Sequence, residues 1–412
     1  MCPAHVLVAV SGGSDSVGLL ISLHSILSED QSFRGITLSA ISIDHCIRDD
    51  AKNEVSYVAD LCCKLGIHHV TVCWQGKKPK TRLMAAAREA RYALIYDHAM
   101  SIGATIVVTA HTFDDQLETV YMRSQRDFSD KGIGLSGMSN IVLYNMSLWI
   151  ARPFLLCRRD AIRSFLSQKN VRWCEDPSNV DDRFERVRAR SLIQEIDMND
   201  MFKKIVAFQN RRIALGNTLA ELIPKYLRVY LQSVISISHS ALMIDPAILS
   251  YLMRISIAIS GGQNFLPGYH SVERLMSFLN NEKKGCISIG RVVLDRRLDC
   301  LWITRALRDL PVNNIAPGEA AVWDGRYRFT NSSKKSIKIC SNSSIKEYVP
   351  FDIPTIVARR AFLSMPSSEG GEPLMAPFSR FLTGFDLPIA RAFAVSFGKI
   401  FIPKLPFLYK KG

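Results

Sequence analysis

Short apolar runs alternate with stretches of helical spacing along the first 150 residues. The runs cover residues 5–10, 36–43, 69–74 and 104–109, and apolar positions recur at helical spacing over 17–27, 53–65 and 81–101. Strands that are apolar throughout and separated by helices predict a parallel sheet buried on both faces, a doubly wound α/β domain. Ligands of such sheets collect at the carboxyl ends of the strands. Polar clusters stand at three of those ends: Ser11 after the first run, Asp44-His45 after the second, and Ala110-His111 after the fourth.

The pattern changes beyond residue 150. Residues 150–200 are polar and Arg-rich, and a helical pattern over about 201–231 carries Lys203, Lys204, Arg211 and Arg212. Gly261-Gly262 and Pro267-Gly268 interrupt the next region. A helix is predicted over 271–279, with strands over 287–294 and 301–304, and the stretch 311–317 reads as a boundary. The remainder reads as strand and turn, rich in Ser, Pro and Lys. The expected division is an N-terminal α/β domain over 1–200, a linker helix over 201–232, and two smaller helical and α+β domains over 233–317 and 318–412.

A chain of 412 residues exceeds one typical core, and 48% hydrophobic with 22% charged residues describes a globular protein. The formal charge of +14 points to a polyanionic partner such as nucleic acid, although a basic surface that only confers solubility has the same composition. Ten cysteines are scattered without a Cys-x-x-Cys pair, so the spacing supports neither zinc nor iron–sulfur and fits reduced thiols in the cytoplasm. The N-terminus lacks the basic and apolar regions of a signal peptide, and no long uncharged apolar run predicts a membrane span.

Two clusters carry chemistry. Ser11-Gly12-Gly13-Ser14-Asp15-Ser16 links an apolar strand to a helical pattern, the layout of a phosphate cradle. It is not a Walker A loop, because no Gly-Lys-Ser/Thr comes after it. The second cluster runs from Ala110-His111-Thr112 through Asp114-Asp115-Gln116 to Glu118-Thr119. Asp114 and Asp115 read either as caps of a solvated helix N-terminus or, with Asp15, as oxygen ligands positioning Mg²⁺ on a triphosphate.

Ser-Gly-Gly-x-Asp-Ser resembles the signature of the PP-loop ATP pyrophosphatases, which implies an adenine-nucleotide α-hydrolase-like fold and cleavage of ATP between its α and β phosphates. The ordered set of motifs is similar to the tRNA(Ile)-lysidine synthetase family in particular. Asp44-His45 with Arg48 and Glu54, Ala87-Arg88 to Arg91-Tyr92, Ala110-His111 to Thr119, Gly134-Leu135-Ser136-Gly137-Met138, Arg152-Pro153-Phe154-Leu155, Asp176-Pro177-Ser178-Asn179 and Arg186-Val187-Arg188 all match in order over residues 5–195. The chain departs from the pattern at residues 125–132, where an Arg-Gly-Ser-Gly segment is usual, at Glu185 in place of Asn, and at Thr112, where a second His is common.

The resemblance implies adenylation of the wobble cytidine of a minor isoleucine tRNA, then attack by free L-lysine. In that reading Ser11 to Ser16, Asp44 and His45 bind ATP, and Asp15 and Asp115 hold Mg²⁺. Arg88, Arg91, His111, Asp115, Arg186 and Arg188 serve catalysis or phosphate neutralisation. The basic residues Lys203, Lys204, Arg211, Arg212, Lys404, Lys410 and Lys411, with the Arg158-Arg159 pair, would track tRNA phosphates. A solvated face accounts for each basic run taken alone. Partners are tRNA and lysine, with no membrane; a homodimer is one assembly the reading allows. Competing readings are another PP-loop tRNA-modifying enzyme such as a thiolase, a non-RNA amidotransferase, and an inactive tRNA-binding protein.

Overall fold

The computed structural model describes residues 4–47, 51–79, 81–126, 134–175, 189, 198–281, 284–344, 352–398 and 400–406. The chain separates into two compact units, residues 1–210 with 404–412, and residues 211–403.

The first unit contains the expected parallel sheet. Its strands are β1 (Ala4–Ala9), β2 (Ile36–Asp44), β3 (His68–Cys73), β4 (Ile106–Val108), β5 (Ile141–Tyr144) and β6 (Leu148–Ala151). Within this unit they lie in the order β5-β6-β4-β1-β2-β3. β1 pairs in parallel with both β2 and β4, β2 with β3, and β4 with β6, while β5 and β6 form an antiparallel hairpin. The order reverses between β1 and β4, the switch point where doubly wound sheets open a crevice for ligands. Leu7, Val8 and Val107 are fully buried at the centre, as strands covered on both faces require. The helices α1 (Ser14–Glu29), α2 (Ala51–Lys64), α3 (Leu83–Ser101), α4 (Phe113–Arg126) and α5 (Arg159–Gln168) come after strands or loops of this sheet. Among the described residues no helix is long and apolar enough to cross a membrane.

A long helix, α6 (Met198–Tyr226), stands where the linker helix is expected, and the division between the units falls within it. In the second unit, β7 (Leu227–Tyr230), β8 (Val234–Ser238), β9 (Gly285–Ile289), β10 (Val292–Arg296) and β11 (Cys300–Arg305) form an antiparallel sheet in the order β7-β8-β11-β10-β9. The run at 287–294, which reads as one strand in sequence, is a hairpin. Gly290 and Arg291 turn the chain with φ of +55° and +66°, the two-residue geometry that matches strand twist.

Helix α7 (Pro246–Gly261) escapes the sequence reading because it is apolar on nearly every side, so no amphipathic period marks it. It starts cleanly: Asp245 accepts hydrogen bonds from the Ala247 and Ile248 amides, and Pro246 takes the first helical position. The tail is not strand and turn alone. Residues Thr355–Ser364 and Leu387–Phe397 are helices, α8 and α9, built on Ala, Leu, Ile and Phe faces that the surrounding Ser and Pro content obscures. The expected boundary near 317 lies inside the second unit.

Buried ion pairs organise this unit. Asp324, fully buried, accepts from Arg305 at 3.0 Å and from Arg326 at 2.6 Å, and also pairs with Arg291. Arg212, expected on an RNA-facing surface, instead places its guanidinium 2.6 Å from the buried Asp386, which also accepts from the Tyr251 hydroxyl at 3.0 Å. Removing one partner of such a pair strands a buried charge, which costs about 3–5 kcal/mol. Asp386→Ala is therefore expected to lower unfolding stability by that amount in urea titrations. A loss below about 1 kcal/mol would show the pair to be solvated.

Candidate active site

The turn after β1 leads directly into α1. Gly12 has φ of +90°, a left-handed backbone that favours glycine. The Gly12 carbonyl accepts from the Cys174 amide at 2.9 Å. Ser16 ties the turn together, its Oγ accepting from the Ser11 amide at 3.1 Å and donating to the Gly13 carbonyl at 3.1 Å. The Ser11 amide is thereby used inside the loop. Gly13 caps α1 without a side chain, leaving the first-turn amides and the positive end of the helix dipole facing the turn.

Asp15, in that first turn, meets the second cluster through one guanidinium. Arg159 Nε lies 3.0 Å from Asp15 Oδ2, and its Nη2 lies 3.7 Å from Asp115 Oδ1. Burial raises the Asp15 carboxyl above its ordinary range; Arg159 opposes the shift and the nearby Asp115 charge adds to it. Burial also works against the charge of Arg159, but Asp15 and Asp115 outweigh it and the guanidinium holds its proton more firmly. Two arginines at the start of α5 run against the helix dipole, which favours anions there. Their carboxylate partners resolve the conflict: Asp114 accepts from the Arg159 amide at 2.8 Å and pairs with Arg158 at 3.1 Å. Arg158 and Arg159, expected to track RNA phosphates, are thus committed to the acidic cluster.

The capping reading of the acidic pair holds at Asp115. Its Oδ2 accepts from the Thr112 amide at 2.9 Å, and the Asp115 amide reaches Thr112 Oγ1 at 3.4 Å, a reciprocal capping box at the start of α4. Its other oxygen faces Arg159. Thr112, a departure from the familiar motif, is the cap residue.

Gln116 clamps the turn beyond residue 133. Its Nε2 donates to the Met138 carbonyl at 2.9 Å and its Oε1 accepts from the Met138 amide at 2.6 Å. A Cβ on Gly137, where φ is +66°, would stand 2.5 Å from Gln116 Oε1. Arg152 is buried and donates to the Ser139 carbonyl at 2.8 Å, fixing the same segment.

At the end of β2, Asp44 Oδ1 accepts from the Cys46 amide at 2.7 Å. His45 Nε2 accepts from Arg91 at 3.1–3.3 Å, and its ring meets Trp74 edge-on. Burial first, then the Arg91 and Lys78 charges, depress the His45 pKa to about 4, with Asp44 opposing. The imidazole is therefore neutral at physiological pH. Arg88 lies over the buried Tyr92 ring, and His111 Nδ1 is 3.1 Å from Thr109 Oγ1.

The sequence matches the PP-loop domain family over residues 2–196. Over 431 aligned residues it is 36% identical to a tRNA(Ile)-lysidine synthase of Rhizobium meliloti (strain 1021), covering 98% of this chain and 94% of that protein. The chain belongs to the tRNA(Ile)-lysidine synthase family. A member from Mesorhizobium japonicum is 36% identical over 97% of this chain and 94% of its own length, and one from Brucella melitensis biotype 2 is 32% identical over 95% and 90%. Among solved structures, a U34-tRNA thiolase from Methanococcus maripaludis covers 51% of this chain and 73% of its own, at 13% identity and a TM-score of 0.43, a likeness too slight to inform function.

Of the site residues expected from the lysidine synthase motifs, Asp15 and Asp115 come together on Arg159, and His45 with Arg91. Arg88 and His111 make separate contacts, with Tyr92 and Thr109. Arg186, Arg188, Lys410 and Lys411, the segment 176–179 and most of the altered segment 125–132 lie outside the described residues. Lys203, Lys204 and Arg211 are exposed on α6, Lys204 paired with Asp200 at 2.7 Å, and Lys404 is exposed while its carbonyl accepts from Trp149 Nε1 at 3.0 Å. Arg159 and Gln116 stand out in the sequence only as part of a basic pair and of the acidic cluster, and neither is assigned the role seen here. The available signal for Arg159 is a basic residue at a helix start, where the dipole disfavours it.

Because His45 takes up a proton near pH 4 when folded and near 6.5 when unfolded, the unfolded chain binds more protons between those values. Stability should fall as pH drops from about 6.5 toward 4. His45→Gln should flatten that part of the pH–stability curve, measured by urea unfolding at pH 7 and pH 5. An unchanged slope would show an ordinary, solvated imidazole.

Proposed function

We propose that this chain joins free L-lysine to C2 of the wobble cytidine of a minor isoleucine tRNA, converting ATP to AMP and pyrophosphate. The carrying observation is the convergence of Asp15 and Asp115 on Arg159 beside the N-terminus of α1, in a chain similar to lysidine synthases along nearly its whole length. In the first step the C2 oxygen of cytosine attacks the α-phosphorus and pyrophosphate leaves. In the second the lysine ε-amine attacks C2 and AMP leaves.

The α1 amides from Ser14 onward suit a phosphate group, since they point their hydrogens and the dipole at it. In this reading Arg91 and Arg88 offset charge on the nucleotide, as always-protonated guanidiniums. The lysine amine must lose a proton to attack; His111 and the acidic cluster are the acceptors at hand. The target base must leave its stack, which anticodon loops permit.

The donor set fits Mg²⁺. Asp15 and Asp115 are hard oxygen donors already sharing one cation. Mg²⁺ held there would neutralise charge on the leaving pyrophosphate. Free thiols at every described cysteine agree with a cytoplasmic setting, where tRNA resides.

Asp15→Ala should reduce tRNA-dependent pyrophosphate release by about 100-fold or more while leaving the fold intact. Asp115→Ala should lose comparable activity and, through its capping box, about 1 kcal/mol of stability. Near-normal release by a folded Asp15→Ala chain would remove that carboxylate from the chemistry.

Lys203, Lys204, Arg211, Lys404, Lys410 and Lys411 are the cations we place against tRNA phosphates. Replacing Lys404, Lys410 and Lys411 with Ala should weaken tRNA binding and flatten its dependence on log salt, each lost phosphate contact lowering the slope by about 0.7–0.9. ATP binding should not change. Wild-type affinity and slope would mark the tail as a solubilising surface.

A further inference from the structure

Asp44, Cys46 and Cys73 bring one carboxylate oxygen and two sulfurs within 4.8 Å of one another. The sequence spacing hides this group, because the cysteines are far apart in the chain and belong to no Cys-x-x-Cys pair. The fold assembles it in two ways. Asp44 and Cys73 are register partners at the carboxyl ends of the parallel strands β2 and β3. Cys46 is then folded back toward Asp44 by a left-handed backbone, φ +51°, while its amide donates to Asp44 Oδ1 at 2.7 Å. The amide of Trp74 locks the strand ends further by donating to the Asp44 carbonyl at 2.7 Å. Asp44 is buried, whereas both cysteines are exposed, so the group has a fixed floor and an open side.

We propose that Asp44, Cys46 and Cys73 form a three-ligand site for a thiophilic divalent cation of the zinc class. Two sulfurs with one carboxylate oxygen select zinc or cadmium over the harder magnesium, which takes oxygen alone. Zinc–sulfur bonds of about 2.3 Å in tetrahedral array hold two sulfurs about 3.8 Å apart, so closure on the metal from the observed spacing needs a shift of about 1 Å or less. Binding exchanges the two thiol protons for the metal, releasing them to solvent, and water fills the fourth position. The third donor, a buried carboxylate at contact range, distinguishes this group from a cysteine pair suited only to a disulfide. Where Asp44 also serves the nucleotide, as lysidine synthesis would have it, an occupied site would withdraw it and weaken ATP binding. The metal site itself does not depend on that reading.

The test is titration of the full, reduced, metal-free chain with Cd²⁺, monitored by the ultraviolet thiolate-to-cadmium absorption band. One equivalent should bind with the band of two thiolates. Cys46→Ser and Cys73→Ser, both at exposed positions, should each weaken binding at least tenfold and reduce the band, while Cys63→Ser, exposed on α2, should leave both unchanged. Competition by Zn²⁺ and failure of Mg²⁺ to compete would support the assignment. A band that survives in both Cys46→Ser and Cys73→Ser would overturn it, and so would the absence of any band in a chain whose Cys46 and Cys73 join as a disulfide under mild oxidant. In nucleotide titrations, one equivalent of Zn²⁺ should raise the Kd for ATP in the wild-type chain and not in Cys73→Ser.

Discussion

A single guanidinium holds the first unit's functional end together. Arg159 sits at the start of a helix, where the backbone dipole repels it, and is kept there by three carboxylates from two other elements. Asp15 belongs to the turn after β1, and Asp114 and Asp115 to the start of α4. The N-termini of α1, α4 and α5 are therefore tied to one charge. Without Arg159, two carboxylates in a partly buried pocket would repel each other. With it, the acidic groups are held close to a helix end that attracts phosphate, and anion-binding and cation-binding features stand side by side.

Much of this arrangement is legible in the sequence, for physical reasons that can be named. The parallel sheet shows itself because short, largely apolar strands alternate with helical stretches, and because each polar cluster falls where a strand stops. Asp15 and Asp115 are readable because carboxylates concentrated at strand-to-helix junctions are unusual. Arg159 is not, because its partners lie 144 and 44 positions away and no local pattern records that distance. Helix α7 is lost for the opposite reason: burial on nearly all sides erases the period on which a helix is recognised. The hairpin at 287–294 reads as one strand because Gly290-Arg291 interrupts the apolar run so briefly.

Net charge is a coarse guide to surface. Arg212, Arg305 and Arg326 all contribute to the +14, yet each is mostly buried against Asp386 or Asp324. Arginine suits such positions because its fork can satisfy a carboxylate and backbone carbonyls together, as Arg305 does with Asp324 and the Arg291 and Ala306 carbonyls. The cations free to meet a polyanion are correspondingly fewer than the composition implies; among the described residues, Lys203 and Arg211 on α6 and Lys404 are exposed.

The Gln116–Met138 clamp ties α4 to a turn well along the chain. A side-chain amide here imitates a peptide group, offering one donor and one acceptor to a backbone position 22 residues along the chain. Among the described residues, the turn at Gly137 is consequently anchored from α4, where Arg123 also donates to the Gly134 and Gly137 carbonyls. One side chain thus couples α4 to the turn that leads into β5.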